Sequence, residues 1–590
     1  APPDAPLPPA EAPGHMTLPK GFRATLFAGE PDVVQPIAFT FDDRGRLWVA
    51  ECRSYPHWLK SGPGADRILI FEDTDGDGRF DKRKVFCDKL ANVSGLEVGF
   101  GGAWVCATPN LLFIPDRDGN DRPDGPPEVV LDGWSLNAKH NVFNGLAWGP
   151  DGWLYGCNGI LATSKIGRPG TPDKDRVAIN CGVWRYHPTR KAFEAVAHGT
   201  TNPWGLDFDD YGQAFITNCV IKHLFHVVPG AHFVRMYGQD FNPHQYGLMP
   251  SCADHIHWGG GDWTTSRGGK GAHDAPGGGH AHAGAMVYLG DNFPAEYRNS
   301  VFMCNIHGNR VNRDVLRRHG SGYVAKHAPD FLLANDPWFR GLGVRYGPDG
   351  GVFVSDWTDT GECHNYDKVH ATSGRIYKVT YGQVTPFRAD LARLPDAELV
   401  KLQRHRNDWQ VRHARRLLQE RAAAGKLAKE TRPALLRMLR DDADVTRQLR
   451  ALWALHATGG IDEKLTLELL NSKQEWLRGW AVQLELEDGK ASAAVRKRLA
   501  EMAAQDPSAT VRLFLASGLQ RLPAEERWPI AEALAAHAED AADANLPLMI
   551  WYAVEPLVAS DPARGAALIK QAKIPLLREY IARRVASLAE

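Results

Sequence analysis

The chain has no apolar run approaching the ~18 residues that a membrane-spanning helix needs. It has no excess of either charge. Its 69 Lys and Arg are matched by 70 Asp and Glu, a net charge of −1, which excludes the overall basic footprint of a nucleic-acid binder. No cysteines are spaced as CxxC or CxxCH, so a zinc ribbon and a covalently attached c-type haem are both excluded within this chain. Cysteine is absent after Cys363, and glycine becomes scarce after Pro386. The nine cysteines are an odd number, so at least one thiol lacks an intramolecular disulfide partner. Cys52, Cys106, Cys157, Cys219 and Cys304 sit at or near strand ends, where a small buried thiol packs well. The opening APPDAPLPPAEAPGH lacks the basic and apolar regions of a signal peptide. We expect residues 1–17 to be a flexible leader of an exported, periplasmic or extracellular chain whose signal peptide has been removed.

What is present is repetition. AFTFDDRGRLWVAE (Ala38 to Glu51), GLAWGPDGWLYGCN (Gly145 to Asn158), GLDFDDYGQAFITN (Gly205 to Asn218) and GLGVRYGPDGGVFVSD (Gly341 to Asp356) share one pattern: a small residue, an apolar run, a turn, a second apolar run and a polar residue. Looser copies run from Gly95 to Asn110 and from Gly284 to Asn305. Six such units, roughly 50 to 80 residues apart, predict radial β-repetition, a six-bladed β-propeller over residues 18–381. SGRIYKV (Ser373 to Val379) suits an outer strand of the last blade. From Pro386 the apolar period turns helical, and segments such as DWQVRHARRLL and DPSATVRLFLASGL recur at about 31 to 35 residues. Residues 386–590 therefore read as a HEAT-like α-solenoid, with Trp453, Trp476, Trp480 and Trp551 expected in the seams between helices. Such a surface suits a protein partner.

Two Asp/Gly-rich loops have calcium-type spacing. Asp73, Asp75, Asp77 and Asp81 alternate with Gly76 and Gly78, and Asp116, Asp118, Asn120 and Asp124 form a degenerate second copy. Hard oxygen ligands at alternate positions suit a structural calcium ion, although Lys84 stands where an EF-hand has its bidentate Glu. Without an ion the same residues make ordinary hairpin turns.

In a propeller, the residues entering each innermost strand and leaving the next meet on one face. Glu51, Asn158, Asn218, Asn305 and Asp356 leave second strands at matched phase, and His140, His198, Trp338 and Arg340 precede first strands. The carboxylates and amides of this ring suit a hard cation, sugar hydroxyls or strand-end turns equally well. The Gly-rich segment from Ser251 to His282 is too long for a tight turn and carries His255, His257, His273, His280 and His282. It is expected to overhang the channel mouth and to supply a transition-metal ligand or an acid/base, with one member of each close pair facing the pocket. Arg235, Arg267 and Arg340 are candidate anion or carbonyl partners.

LPKGFRATLFAGEPDVVQPIAFTFDDRGRLWVAE, EDTDGDGRFDKRKVF, GGGHAHAGAMVYLGDNFP, NIHGNRVNRD and NDPWFRGL resemble the large exported proteins of planctomycetes and verrucomicrobia known as membrane-bound dehydrogenases or haem-binding CxxCH proteins. The resemblance covers the propeller almost end to end and the helical region more loosely. It implies oxidoreductase chemistry, by fold likeness to soluble quinoprotein sugar dehydrogenases. Relatives often continue into a cytochrome c domain, whereas this chain reaches Glu590 without CxxCH, so the dehydrogenase reading needs a separate acceptor such as a cytochrome, or a longer native gene product.

Three functions follow. The first is oxidation of a sugar or polyol with a PQQ-like quinone over the channel mouth, where His140, His198 or His255 takes the hydroxyl proton and Arg235 or Arg340 polarises the acceptor carbonyl. The second is a carbohydrate lyase, lactonase or hydrolase, where the ring of Glu51, Asn158, Asn218 and Asp356 holds a second divalent metal. The third is a non-catalytic propeller–solenoid scaffold. Small-molecule or oligosaccharide substrates fit the first two. Both an aromatic, cationic floor and a ring of oxygen ligands can be read from the sequence, which therefore does not choose.

Overall fold

Five of the six inner repeats begin where the innermost strands crowd the central channel, and glycine answers that crowding. Gly205 has φ +104° and an added Cβ would lie 2.4 Å from the Ala285 nitrogen of the next blade, so no side chain fits there. Five innermost strands also carry a register irregularity close to their start, as between Val93 and Gly95 or Ala283 and Met286. The computed structural model describes residues 3–161, 163–220 and 222–590, the side chain of Trp263 apart. It is a six-bladed β-propeller followed by an α-helical, solenoid-like region.

Blade one is Pro36–Phe41, Leu47–Glu51, Asp66–Glu72 and Lys82–Leu90, hydrogen-bonded in that order from the channel outwards. Blade two follows with Val93–Gly99 to Glu128–Leu131, and blade three with Asn144–Trp148 to Phe193–Thr200, extended by the parallel strand His232–Arg235. Blade four has three strands between Leu206 and Val227, and blade five runs from His282–Val287 to Gly322–His327. Blade six is Gly341–Tyr346, Val352–Asp356 and Arg375–Tyr381, with Phe22–Gly29 outermost. Arg375–Tyr381 is therefore the third strand, not the outer one expected from its alternation. The N-terminal strand pairs antiparallel with it and closes the ring. The segment read as a leader lies against the propeller: Ala12 is buried and Thr17 bridges Leu333, while residues 1 and 2 lie outside the described residues.

Twelve helices from Asp396–Leu402 to Pro575–Ser587 stack in two layers. Several are capped by their own sequence: Asn407, Asp444, Asp462, Ser492 and Ser508 each accept a backbone N–H of the first turn. One layer faces the propeller. Trp476 stacks on Tyr211 at 4.7 Å, Trp480 Nε1 donates to the Tyr211 carbonyl, and Trp551 Nε1 donates to the His244 carbonyl. These tryptophans fasten the helices to propeller loops, and Trp453 and Trp480 both pack on Gly212. Among the described residues no helix is long and apolar enough to cross a membrane.

The inner strands run from one end of the channel to the other, and the helix Asp408–Ala423 closes the end where they finish. Arg412 meets Asp207 at 2.7 Å, His413 meets Asp43 at 2.7 Å, and Arg416 also pairs with Asp43. The mouth where the inner strands begin is left to the loops.

Candidate functional site at the channel mouth

At that mouth lies a cavity of about 120 Å³. Its walls are aromatic and apolar: Tyr55, Trp58, Trp204, Trp357, Val142 and Ile306. His140, Lys139, Asn202, His282, Arg340, Asp359, Glu362, Cys219 and Cys363 supply the polar groups. A wider cleft of about 800 Å³ adjoins it and shares Ile306, Arg340 and Glu362. The insertion after Ser251 contributes to both, with His282 in the cavity and Arg267 to Gly271 along the cleft.

His140 stands on the short helical turn Leu136–Asn141 that leads into blade three. The preceding Lys139 has φ 43° and ψ −116°, backbone strain on the cavity wall of a kind that tertiary contacts must hold in place. His140 Nδ1 lies 2.7 Å from the Tyr366 hydroxyl. Burial, then the neighbouring His364 and Lys139, lower its pKa to about 3, so the imidazole is neutral at any ordinary pH. Burial likewise raises the Tyr366 hydroxyl to about 12 and the Cys363 thiol to about 11, so both keep their protons.

The polar ring at the strand ends is structural. Glu51, Asn158, Asn218, Asn305 and Asp356 are each 0% exposed, and none lines the cavity. Glu51 accepts the Val34 N–H at 2.7 Å and pairs with Arg67. Asn158 donates to the Gly159 and Asn180 carbonyls. Asn218 Oδ1 accepts the N–H groups of Thr201 and Asn202 at 3.0 and 2.9 Å. Asn305 donates to the Gly277 and Gly279 carbonyls, and Asp356 accepts the N–H groups of Arg340 and Thr358. Glu51, Asn218, Asn305 and Asp356 each clasp the loop that enters a first strand, and Asn158 holds the connection to the third strand of its own blade, so the matched phase in sequence reports turn chemistry rather than a metal or substrate ring.

Arg340 reaches the cavity wall, but its guanidinium donates to four carbonyls, those of Pro337, Phe339, Thr360 and Gly361. Arg235 and His198 are not cavity residues: Arg235 donates to Asn180 Oδ1, and His198 stacks on His232 with ring centres 5.3 Å apart. Burial, and next the charge of His232, lower the His198 pKa to about 4. Trp338 is buried and donates to the Pro3 carbonyl. His255 lies in a cluster with His223, His257 and Asp314, one imidazole removed from the cavity. The aromatic walls Tyr55, Trp58 and Trp357 and the partner Tyr366 were missed in sequence because they lie in inter-strand loops of no repeating length. The adjacency of Trp357 to Asp356 was the one signal available.

Ser266 Oγ lies 2.8 Å from His307 Nδ1 and 2.9 Å from His280 Nδ1, and His307 Nε2 is 2.7 Å from Glu362 Oε2. The order resembles a serine–histidine–carboxylate relay, but Ser266 is 0% exposed and held between two imidazoles, so its oxygen has no approach for a substrate. All nine cysteines are free thiols.

The two Asp-rich loops are hairpin tips. Asp73 accepts the N–H groups of Gly76 and Gly78, and Asp81 accepts from Thr74. Asp73, Asp75 and Asp81 converge, as do Asp116, Asp118 and Asp124, whereas Asp77 turns to the Arg79 N–H and Asn120 to the Arg122 N–H. Arg388, from the segment leading into the helices, donates to the Thr74 carbonyl, so the first loop touches the junction of the two regions. Asp121, which carried no signal in the spacing, pairs with Arg46 of blade one at 2.7 Å.

A family profile described as a domain of unknown function (DUF7133) matches residues 8–383. The chain belongs to that family. No curated protein sequence matches it. Among solved structures, this DUF7133 protein is similar to the PQQ domain of pyranose dehydrogenase from Coprinopsis cinerea, at 14% identity and a TM-score of 0.40, covering 64% of this chain and 99% of that one. It is also similar to the PQQ-bound aldose sugar dehydrogenase of Streptomyces coelicolor, at 16% identity and a TM-score of 0.35, over 62% of this chain and 100% of that one. The apo aldose sugar dehydrogenase of Escherichia coli matches at 13% identity and a TM-score of 0.35, over 61% and 99%.

Proposed function

We propose that this DUF7133 protein is an oxidoreductase that binds a sugar or polyol in the channel-mouth cavity and removes a hydroxyl proton with His140. The observation that carries the reading is a neutral, half-buried imidazole on the wall of an aromatic cavity, 2.7 Å from the Tyr366 hydroxyl. Trp58, Trp204 and Trp357 line it with aromatic surface of the kind that packs on the C–H face of a sugar ring. In the tautomer that donates Nδ1–H to the Tyr366 oxygen, Nε2 carries the lone pair that accepts the proton. Asn202 lines the same cavity and suits a remaining hydroxyl, whereas Asp359 is held by the backbone N–H groups of Thr360, Gly361 and His370.

A PQQ-like quinone bears several carboxylates, and the residues present do not fit it. Of the cations lining the cavity and cleft, Arg340 is committed to carbonyls, Arg267 to Glu362 at 2.9 Å and Arg310 to Asp274 and Asp330. Lys139 and Lys270 remain among the described lining residues, while Asp359 and Glu362 set negative charge on the same walls. The reading therefore assigns the hydride of the substrate's carbinol carbon to a separate two-electron acceptor, a small quinone- or flavin-type molecule that meets the substrate at the open cleft and passes the electrons on to a cytochrome.

Purified full-length chain, offered a panel of aldoses and polyols with an artificial dye acceptor, should reduce the dye with at least one of them, and His140→Ala should abolish that turnover. Turnover of a lactone or glycan without dye reduction would transfer the cavity to the lyase or hydrolase reading. Turnover unchanged in His140→Ala would remove the proposed base.

A further inference from the structure

Away from the cavity wall, four side chains from three parts of the propeller point their donor atoms at one spot. His223 directly precedes the outer strand of blade four, Leu224–Val227. His255 and His257 come from the long insertion, and Asp314 from the third strand of blade five, Arg310–His319. His255 Nε2 is 3.2 Å from both His257 Nε2 and Asp314 Oδ1, and His257 Nε2 is 2.9 Å from that same oxygen. His223 Nε2 approaches the other oxygen at 2.6 Å. All the donor atoms lie within 4.8 Å of one another.

We propose that His223, His255, His257 and Asp314 bind a divalent first-row transition ion, zinc in the simplest case. Metal–ligand bonds of about 2.0 to 2.1 Å give a tetrahedron whose edges are about 3.3 Å, and the three distances among His255, His257 and Asp314 come close to that edge. Imidazole and carboxylate donors without a thiolate suit zinc, iron, nickel or copper rather than calcium. His257 and Asp314 are 0% exposed and His223 is 1% exposed, a depth at which three imidazoles crowd around a carboxylate with the His223 and His257 rings stacked at 3.8 Å. A cation accounts for that convergence.

The outer layer fits for two of the three histidines, His255 and His257, while His223 Nδ1 has no hydrogen-bond partner among the described residues. Metal-bound histidines offer their second nitrogen to a carboxylate, carbonyl or other acceptor, which fixes the tautomer. His255 Nδ1 lies 2.9 Å from Asp254 Oδ1, and Asp254 is in turn paired with Lys326. His257 Nδ1 lies 2.9 Å from His282 Nε2. With its Nε2 on the ion, His257 must carry its proton on Nδ1 and donate it to His282, whose own proton then sits on Nδ1. His282 lines the channel-mouth cavity. The ion would thus pin the insertion to the junction of blades four and five and set the tautomer of one cavity residue, whichever reaction the cavity performs.

The test is elemental analysis of the full chain, stripped with a chelator, incubated with Zn²⁺ or Co²⁺ and desalted. The wild type should retain about one equivalent, and Co²⁺ should show the visible absorption of a tetrahedral site. His257→Ala and His255→Ala should each retain at least about tenfold less, and Asp254→Asn should weaken binding about 10- to 100-fold. His255 is partly exposed, so His255→Ala decides the matter if the His257 variant does not fold. Retention below about a tenth of an equivalent by the wild type, or equal retention by wild type and His255→Ala, would overturn the site and leave a hydrogen-bonded His–Asp network.

Discussion

The two ends of the propeller channel are built from the same six inner strands and are finished in opposite ways. Where the strands begin, aromatic loops surround a cavity whose His140 imidazole is kept neutral by burial. Where they end, charges are paired across two regions of the chain: Asp207 with Arg412, Asp43 with His413 and Arg416, and Asp210 with Arg298 and Arg450. Glu97 and Arg345 meet at 3.2 Å just inside that end. A buried carboxylate or guanidinium is tolerated only when partnered, so the charged end is one whose side chains are spent on each other. The aromatic end keeps a wall on which a small molecule can displace water. The comparison teaches that substitutions at the two ends should separate into losses of turnover and losses of stability.

The largest expected effect is at the mouth. His140→Ala should lower the turnover found with a responsive sugar or polyol by about 10² to 10⁴ while leaving the melting temperature nearly unchanged. A variant that melts early but turns over normally would invert the comparison. Tyr366→Phe should have a smaller effect and should alter the pH profile of kcat, because it removes the partner at Nδ1.

At the closed end, Arg412→Met should destabilise by about 3 kcal/mol, because Asp207 is left buried without its cation and Asp408 keeps only Arg450, at 3.4 Å. Denaturant unfolding measures this, and turnover per folded molecule should be unchanged. A loss of turnover with normal stability would show that the two ends are coupled.

The Asp73–Asp81 loop sharpens the contrast at the junction with the helical region. We propose calcium there, held by Asp73, Asp75 and Asp81. Saturating Ca²⁺ should then raise stability by about 2 to 3 kcal/mol at a hundredfold excess over Kd. Chelation should lower the melting temperature, and Asp75→Ala should abolish the difference. A melting temperature indifferent to both calcium and chelator would leave the loop as a turn.

The smallest effect concerns pH. Asp209, on the turn that Trp476 and Trp480 cover, has its pKa pushed up to about 7 by burial, against the N–H groups of Gln213 and Tyr211 and the Tyr323 hydroxyl. The folded state then holds a proton that the unfolded state has released between pH ~4 and ~7. Stability from this group is present in full below pH ~4 and declines as pH rises through about 7. Asp209→Asn should therefore flatten the fall in stability between pH 5 and 8. An unaltered pH dependence would place the titration elsewhere.

The sequence by itself determined the number of blades and the change to helices, because both are periodic and local. A glycine near the start of five of the six inner strands, an apolar run of strand length and a Gly turn leave few other ways to bury the side chains. The helices are equally legible in their Asp, Asn and Ser caps. The ring residues Glu51, Asn158, Asn218, Asn305 and Asp356 were found by the same periodicity, and their role could not be. Whether a carboxamide at a strand end meets a ligand or the next loop's N–H is settled by a few ångströms of backbone, and here the backbone takes it. Tertiary structure alone decided that Phe22–Gly29 closes the last blade, that Trp58 and Trp357 wall the cavity, and that Asp314, one polar residue in an ordinary strand, meets histidines 57 to 91 positions away. The physical reason is that repeats encode strand packing, which recurs, whereas a site is assembled from loops and single side chains that occur once.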